Sequence, residues 1–576
     1  MPSPARNVRR TGSTLATVSR NQLRMSFTSH SLKGAPTADL RIYSCPVTGG
    51  YANVAEGPLN DDRPTFDPVW GTLMKQNRNI RLAAIGAAVA LSVSVGLPAH
   101  ADNGTDTGAL REAVTAAAII DHLEALQEIA EANGGTRASG TPGYEASAVY
   151  VEEQLKAAGY TPTRQRYSYE QFMLNAESFE KLTPTAATYA SGTEYATMSY
   201  SGSGAVSAAV QAVDINLVGD RASTSGCEVA DFAGFTAGNV ALIQRGTCTF
   251  RVKADNAIAA GASGVIIFNQ GNADDRLDVV NGTLDAPQAG VPVIGATFAL
   301  GEALAGQPAP TVRLAVDAEV IVTKSFNILA DSPGRTDRTV VAGAHLDSVA
   351  EGAGINDNGS GSAAILETAI QLAASGDAPT NRVRFAFWGS EEDGLVGSEY
   401  YVSQLTKRQI KEHAVNLNFD MVASPNFVRF VYDGDGSSFG TTGPNGSALV
   451  ERVFLDYFAS QGLATEPTEF DGRSDYFGFI ENGIPAGGLF TGAEDLKTEA
   501  EAVTYGGVAG APYDACYHAA CDDITNINAV VLEQMADAIA HTTKTFGETT
   551  SAVNGTTKGG GSGPTELQFK GSHAVR

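Results

Sequence analysis

At 576 residues, 43% of them hydrophobic, the chain is long enough for two or three domains and can bury a sizeable core. Its 39 Lys plus Arg against 64 Asp plus Glu leave a net charge of −25. That balance argues against a nucleic-acid binder or a protein held on an anionic membrane, both of which need a basic face, and five cysteines are too few for a disulfide-dense scaffold.

In chain order, residues 1–73 are rich in Arg, Ser, Thr and Pro and show no strong periodicity. They are expected to be an upstream over-extension, with translation starting at Met74, or else a disordered extension. Lys75, Arg78 and Arg81 then precede an apolar run from Leu82 to Leu97 and the small-residue site Ala99-His100-Ala101. That order predicts a secretory signal peptide over 74–101. The run is shorter than the roughly 18–20 residues that span a bilayer, so no stable membrane anchor is expected. An exported chain would keep Cys227, Cys248, Cys516 and Cys521, enough for two disulfides. Proximity favours Cys227–Cys248 and Cys516–Cys521, although three pairings are possible.

Apolar residues at spacings of three and four predict a helix over 110–133, followed by a turn at Asn133-Gly134-Gly135 and a second helix over 144–158. From 176 to 320, Ala, Gly, Ser, Thr and Val dominate in short strand-like runs. Beyond 321 the pattern becomes strand, loop, helix. Strands are predicted at 339–342, 383–388 and 415–419, with a helix over 362–374. Each strand ends in polar residues: His345-Leu346-Asp347, Glu391-Glu392 and Asp420. The fold class is therefore α/β, a largely parallel sheet flanked by helices, with ligands expected at the carboxyl edge. Residues 550–576 hold Gly559-Gly560-Gly561-Ser562-Gly563-Pro564 and read as a flexible tail.

Five potential metal ligands fall in strand-end or loop contexts: His345, Asp357, Glu392, Asp420 and His518. Mixed imidazole and carboxylate ligands suit zinc, and these residues could serve a pair of ions, one aspartate bridging. Glu391, beside Glu392, is the candidate general base. Asp347 is placed to accept from the far nitrogen of His345 and set its tautomer. Ser360 in Asn358-Gly359-Ser360-Gly361 does not fit a nucleophile elbow.

The runs GAHLDS (343–348), GINDNGSG (354–361), FAFWGSEEDGLVGS (385–398), NFDM (418–421), FDGRSDYFGF (470–479) and CYHAACDD (516–523) closely resemble the secreted di-zinc aminopeptidase family, which includes bacterial leucyl aminopeptidases, aminopeptidase S and aminopeptidase Y. The resemblance covers 110–175 and 322–545. It implies two zinc ions per chain, one on His345 and Asp420, the other on Glu392 and His518, bridged by Asp357. It further implies Glu391 as general base, Tyr517 as hydrogen-bond donor to the oxyanion, and Arg473 in substrate positioning, with a disulfide between Cys516 and Cys521 stiffening the loop between them. The middle segment, with CEVADFAG (227–234), NVALIQRGTCTFRVKADNAIAAGASGVIIFNQG (239–271) and GVPVIG (290–295), resembles a protease-associated domain, a smaller β-rich insert without catalytic residues. The expected domains are a peptidase domain in two parts, 102–175 and 321–549, around an insert at 176–320.

The expected activity is removal of amino-terminal residues from peptides and proteins with a free amino terminus. Large apolar residues are favoured by the resemblance, with Tyr476, Phe477, Phe479 and Phe490 as candidate pocket aromatics. A zinc carboxypeptidase of the same family is one alternative, although Arg473 stands without an obvious arginine cluster for a terminal carboxylate. A non-catalytic peptide-binding, receptor-like protein is another, which the complete ligand set disfavours. Some relatives bind calcium, and Asp522 and Asp523 are the candidates here. A monomer is compatible with all of this.

Overall fold

The computed structural model describes residues 104–273, 276–288 and 290–554; the expected signal peptide, the segment before it and residues 555–576 lie outside the described residues, while the start of the expected flexible tail is a short helix, Ser551–Asn554, with Val553 buried. Four neighbouring strands form the parallel centre of the sheet: Ala486–Phe490, His413–Phe419, Arg335–His345 and Asn381–Trp388. Antiparallel strands flank them, Phe430–Tyr432 beside Ala486–Phe490 and Thr311–Asp331 beside Asn381–Trp388. The central strands are buried on both faces, which explains why their sequences read as continuous apolar runs rather than alternating ones. Their side chains divide by the two-residue period of a strand. Val340, Ala342, Ala344, Phe385 and Phe387 pack on one side with the helices Ala116–Ala132, Gly361–Ala374 and Ala529–Glu548. Val341, Ala386 and Trp388 pack on the other with Tyr401, Val402 and Phe479.

The single helix expected over 110–133 is two, Gly108–Ala113 and Ala116–Ala132. Val114 is extended, and the Thr115 side chain accepts from Ala118 N to cap the second helix. A threonine that can satisfy an orphan N–H starts a helix at least as readily as it continues one. Thr141 caps the next helix, Pro142–Ala157, in the same way.

The insert is held on a long ribbon. Strand Thr163–Lys181 runs antiparallel to Thr311–Asp331 from Thr163↔Leu329 to Lys181↔Val312. The expected boundaries near 175 and 320 both fall inside this ribbon, so the chain passes from one part to the other without a linker. Its outer half carries the insert's own sheet: Gly204–Val213 pairs with Thr311–Val316, and Val240–Gln244, Gly264–Phe268 and Val293–Ala296 follow in parallel. Parallel pairing requires crossovers, and helix Phe250–Ala259 supplies one. Cys227 is bonded to Cys248, and Cys516 to Cys521.

Candidate metal centre and its support

The five candidate ligands arrive from five separate segments at the carboxyl edge of the central strands. Asp357 stands between two imidazoles: its Oδ1 is 3.2 Å from His345 Nε2, and its Oδ2 is 3.2 Å from His518 Nε2. Asp420 Oδ1 lies 3.4 Å from the same His345 nitrogen, and Glu392 Oε2 lies 3.3 Å from His518 Nε2. Two groups that could each hold an ion result, His345 with Asp357 and Asp420, and His518 with Asp357 and Glu392, sharing Asp357. Glu391 is fully buried with Oε2 3.8 Å from His345 Nε2.

The chemistry of this donor set fits a cation. His345 Nδ1 faces the backbone carbonyl of Asp347 at 3.2 Å, so the tautomer that satisfies it places the proton there. The Nε2 lone pair then faces carboxylate oxygens, acceptor against acceptor, which a metal ion between them resolves. With no cation between them a proton takes that place: burial works against a charged His345, yet the carboxylates of Glu391 and Asp420 and hydrogen bonds to Asp357 and Asp420 raise its pKa well above the usual imidazole value. Burial likewise disfavours ionised Asp357, but hydrogen bonds from His345 and His518 hold its pKa well below the carboxylate range.

Asp347 supports the site differently from the expectation. Its carbonyl, not its carboxylate, makes the close contact to His345; the nearer carboxylate oxygen is 3.8 Å away. The carboxylate instead accepts the backbone N–H groups of Glu391 at 3.2 Å and Glu392 at 3.4 Å, so it binds the Glu391–Glu392 loop to the strand end. Asp522, a candidate for calcium, is also an internal acceptor. It takes the N–H groups of Asn356 and Asp357 at 2.8 and 2.9 Å and thereby sets the bridging residue's backbone. Asp523 accepts from Thr525.

Sequence reasoning missed Arg137. It is fully buried and donates to the carbonyls of Leu346, Ala353 and Gly354, joining the His345 strand end to the Asp357 loop. Burial lowers its pKa to about 10, against the pull of nearby Asp347, Asp522 and Asp357. Gly354 is required at this crossing: it sits at φ +61°, and a Cβ there would lie 2.3 Å from the Asp357 carbonyl oxygen. Ser474 was also overlooked as a support; its hydroxyl donates to Asp420 Oδ2 at 2.6 Å. Three non-glycine residues with positive φ, Ser390, Met421 and His518, lie at or next to a candidate ligand or the candidate base. Such conformations persist where surrounding contacts over-determine them.

A cavity of about 100 Å³ opens beside Asp357 and Asp420, lined by Met421, Tyr432, Phe490, Arg473 and Tyr517 among others. Arg473 Nη2 is 2.8 Å from Glu494 Oε1 and donates to the Tyr517 hydroxyl at 3.1 Å. Of the four candidate pocket aromatics, Phe490 lines this cavity, whereas Tyr476, Phe477 and Phe479 are fully buried in the core.

Comparison with known proteins places this architecture. The model of peptidase family M28 matches residues 327–543 and that of the PA domain residues 211–304. An aminopeptidase of Pseudomonas aeruginosa is 48% identical over 77% of this chain and 83% of its own length. A probable leucine aminopeptidase 2 of Aspergillus fumigatus is 40% identical over 70% of this chain and 78% of its own. The structure of a zinc aminopeptidase from Bacillus subtilis, at 25% identity, superposes with a TM-score of 0.51 and covers 74% of this chain and 94% of that one.

Proposed function

The chain belongs to peptidase family M28, and we propose that it is a secreted di-zinc aminopeptidase with Glu391 as general base and a preference for large apolar amino-terminal residues. A metallo-aminopeptidase is what its relatives and its ligand chemistry support together. The single observation that carries the two-ion reading is Asp357, whose two oxygens each face a different imidazole at 3.2 Å. His345 and Asp420 would hold one ion and His518 and Glu392 the other, with Asp357 shared. Bound zinc supplies Lewis acidity to the scissile carbonyl and to the attacking water.

In this reading the residues divide the work as follows. Glu391, buried beside the ligand cluster, takes a proton from water and later gives it to the leaving amine. Tyr517 receives a hydrogen bond from Arg473 on its oxygen, which directs its own O–H outward to donate to the oxyanion of the tetrahedral intermediate. The carboxylates around the cavity, Glu469, Asp471, Glu494 and Asp495, suit a cationic amino terminus. Arg473 is the one cationic residue in that lining and is already paired with Glu494, so a terminal carboxylate finds no cluster to bind. Met421, Tyr432 and Phe490 offer apolar walls to the first side chain. Secretion is supported by the two disulfides, which an oxidising compartment favours, and by the pattern of residues 74–101; among the described residues no helix is long and apolar enough to cross a membrane.

Hydrolysis of a leucine anilide, with the amine free and acetylated, tests the activity. Turnover should require the free amine, vanish with a chelator and return with zinc, and metal analysis should find two zinc ions per chain. Glu391→Gln should retain both ions while kcat falls by about 10³-fold or more. Equal turnover of the acetylated anilide would overturn the aminopeptidase reading, and an active Glu391→Gln would overturn the base.

A further inference from the structure

The ribbon that carries the insert also touches the loop that carries the proposed base. Tyr167, Tyr169 and Gln171 alternate along strand Thr163–Lys181 and so share one face of it. The Tyr167 hydroxyl donates to the Gly389 carbonyl at 2.6 Å and lies 3.2 Å from Ser390 Oγ. The Tyr169 hydroxyl donates to Asp393 Oδ2, and Gln171 Nε2 donates to Asp393 Oδ1 at 2.9 Å. Gln171 is itself oriented by the facing strand, since Thr323 Oγ1 donates to its Oε1 at 2.6 Å. The loop is thus gripped from the ribbon immediately before Glu391 and immediately after Glu392, while Asp347 takes the two N–H groups between. Ser390, at the start of the loop, has φ 58°, a conformation uncommon for a non-glycine residue and favoured where surrounding contacts hold it.

We propose that Tyr167, Tyr169 and Gln171 are positioning residues for Glu391 and Glu392, and that through them the inserted domain sets the geometry of the active site. The two strands stay paired from end to end, with one bulge between Leu174 and Ala176: the inner half meets residues 389–393, and the outer half is paired with the insert's strand Gly204–Val213. Asp393 accepts two hydrogen bonds from one strand, so a shift of the ribbon moves the loop with it. A displacement near 1 Å at a catalytic group costs on the order of 100-fold in rate. The insert therefore acts on the reaction without contributing a side chain to it. This inference rests on Glu391 being the base.

The test uses the full chain loaded with zinc. Tyr169→Phe and Gln171→Met should each lower kcat about tenfold and leave KM within twofold, with zinc content and melting temperature as in the parent. Gln171→Glu should do the same, because its carboxylate then faces the Asp393 carboxylate acceptor to acceptor. Adding Asp393→Asn to Gln171→Glu restores a donor–acceptor pair, and kcat should recover to within about threefold of the parent. Wild-type kcat in the single variants at full zinc occupancy overturns the proposal. If a single change unfolds the chain, the paired variant decides: a folded, zinc-loaded pair without recovered kcat overturns it. Glu391→Gln is measured alongside. An active Glu391→Gln defeats the base reading whatever the ribbon variants do; an inactive one beside fully active ribbon variants defeats the ribbon proposal alone.

Discussion

Tyr517 shares its phenol oxygen with a guanidinium. Arg473 donates to that oxygen at 3.1 Å while its other contact holds Glu494 at 2.8 Å, so one side chain fixes both the Tyr517 hydroxyl and the cavity rim. A phenol whose lone pair faces a cation is a better donor, and in the low dielectric of the site that gain is large. Tyr517→Phe should therefore cut kcat by about 100-fold while KM for a leucine anilide changes little, since the interaction is made in the transition state. Steady-state kinetics with the two parameters separated checks this; a rise in KM at constant kcat would make Tyr517 a binding residue instead. Arg473 can pair with Glu494 and still face substrate, because it also lines the cavity beside Asp357 and Asp420.

At the scale of the element, the candidate ligands other than His345 belong to loops, and loops are precise only where something holds them. The turn of residues 514–521 carries Tyr517 and His518, the latter at φ 53°, and is closed by Cys516–Cys521. Replacing both cysteines, Cys516→Ser with Cys521→Ser, should cost about 2 kcal/mol of stability and weaken the ion on His518 about tenfold. The other ion should be retained, which stepwise chelator competition would show as one zinc lost early and one late. The candidate ligands are legible in the sequence because each sits in a short run whose meaning is local: His345 ends a strand, Glu392 follows the end of the next, Asp420 a third. The supports are not. Arg137 reaches carbonyls more than 200 positions away, and a carbonyl carries no sequence signal at all. The sequence marks Asp347 as a support but not its donors, since choosing between an imidazole and two backbone N–H groups takes sub-ångström geometry. Composition changes near 175 and 320, but strand pairing runs on past both positions, with a single bulge between Leu174 and Ala176.

For the whole molecule, an acidic chain of net charge −25 repels itself increasingly as its carboxylates ionise. Two carboxyls remote from the ligand cluster make that dependence specific. Burial, then Glu481, pushes Glu399 up to about 7, and burial, then Asp435, pushes Glu451 up to about 7. Both lie above the ordinary glutamate value in the folded state, so between about 4.5 and 7 the folded chain binds more protons than the unfolded one. Stability is then greatest below that window and falls as pH rises through 7, the reverse of a carboxylate held by a salt bridge. Discounted for solvent screening, the two groups together should remove about 2 kcal/mol between pH 6 and pH 8.5. For a folded unit of this size that lowers the melting temperature by about 2 °C. The combined change Glu399→Gln with Glu451→Gln should flatten the profile over this range and raise the melting temperature most at the alkaline end. Scanning calorimetry of the zinc-loaded parent and variant at both pH values checks it. An equal shift at the two ends would mean that the glutamines changed packing rather than titration, and an unchanged slope would place the pH dependence elsewhere in the acidic surface.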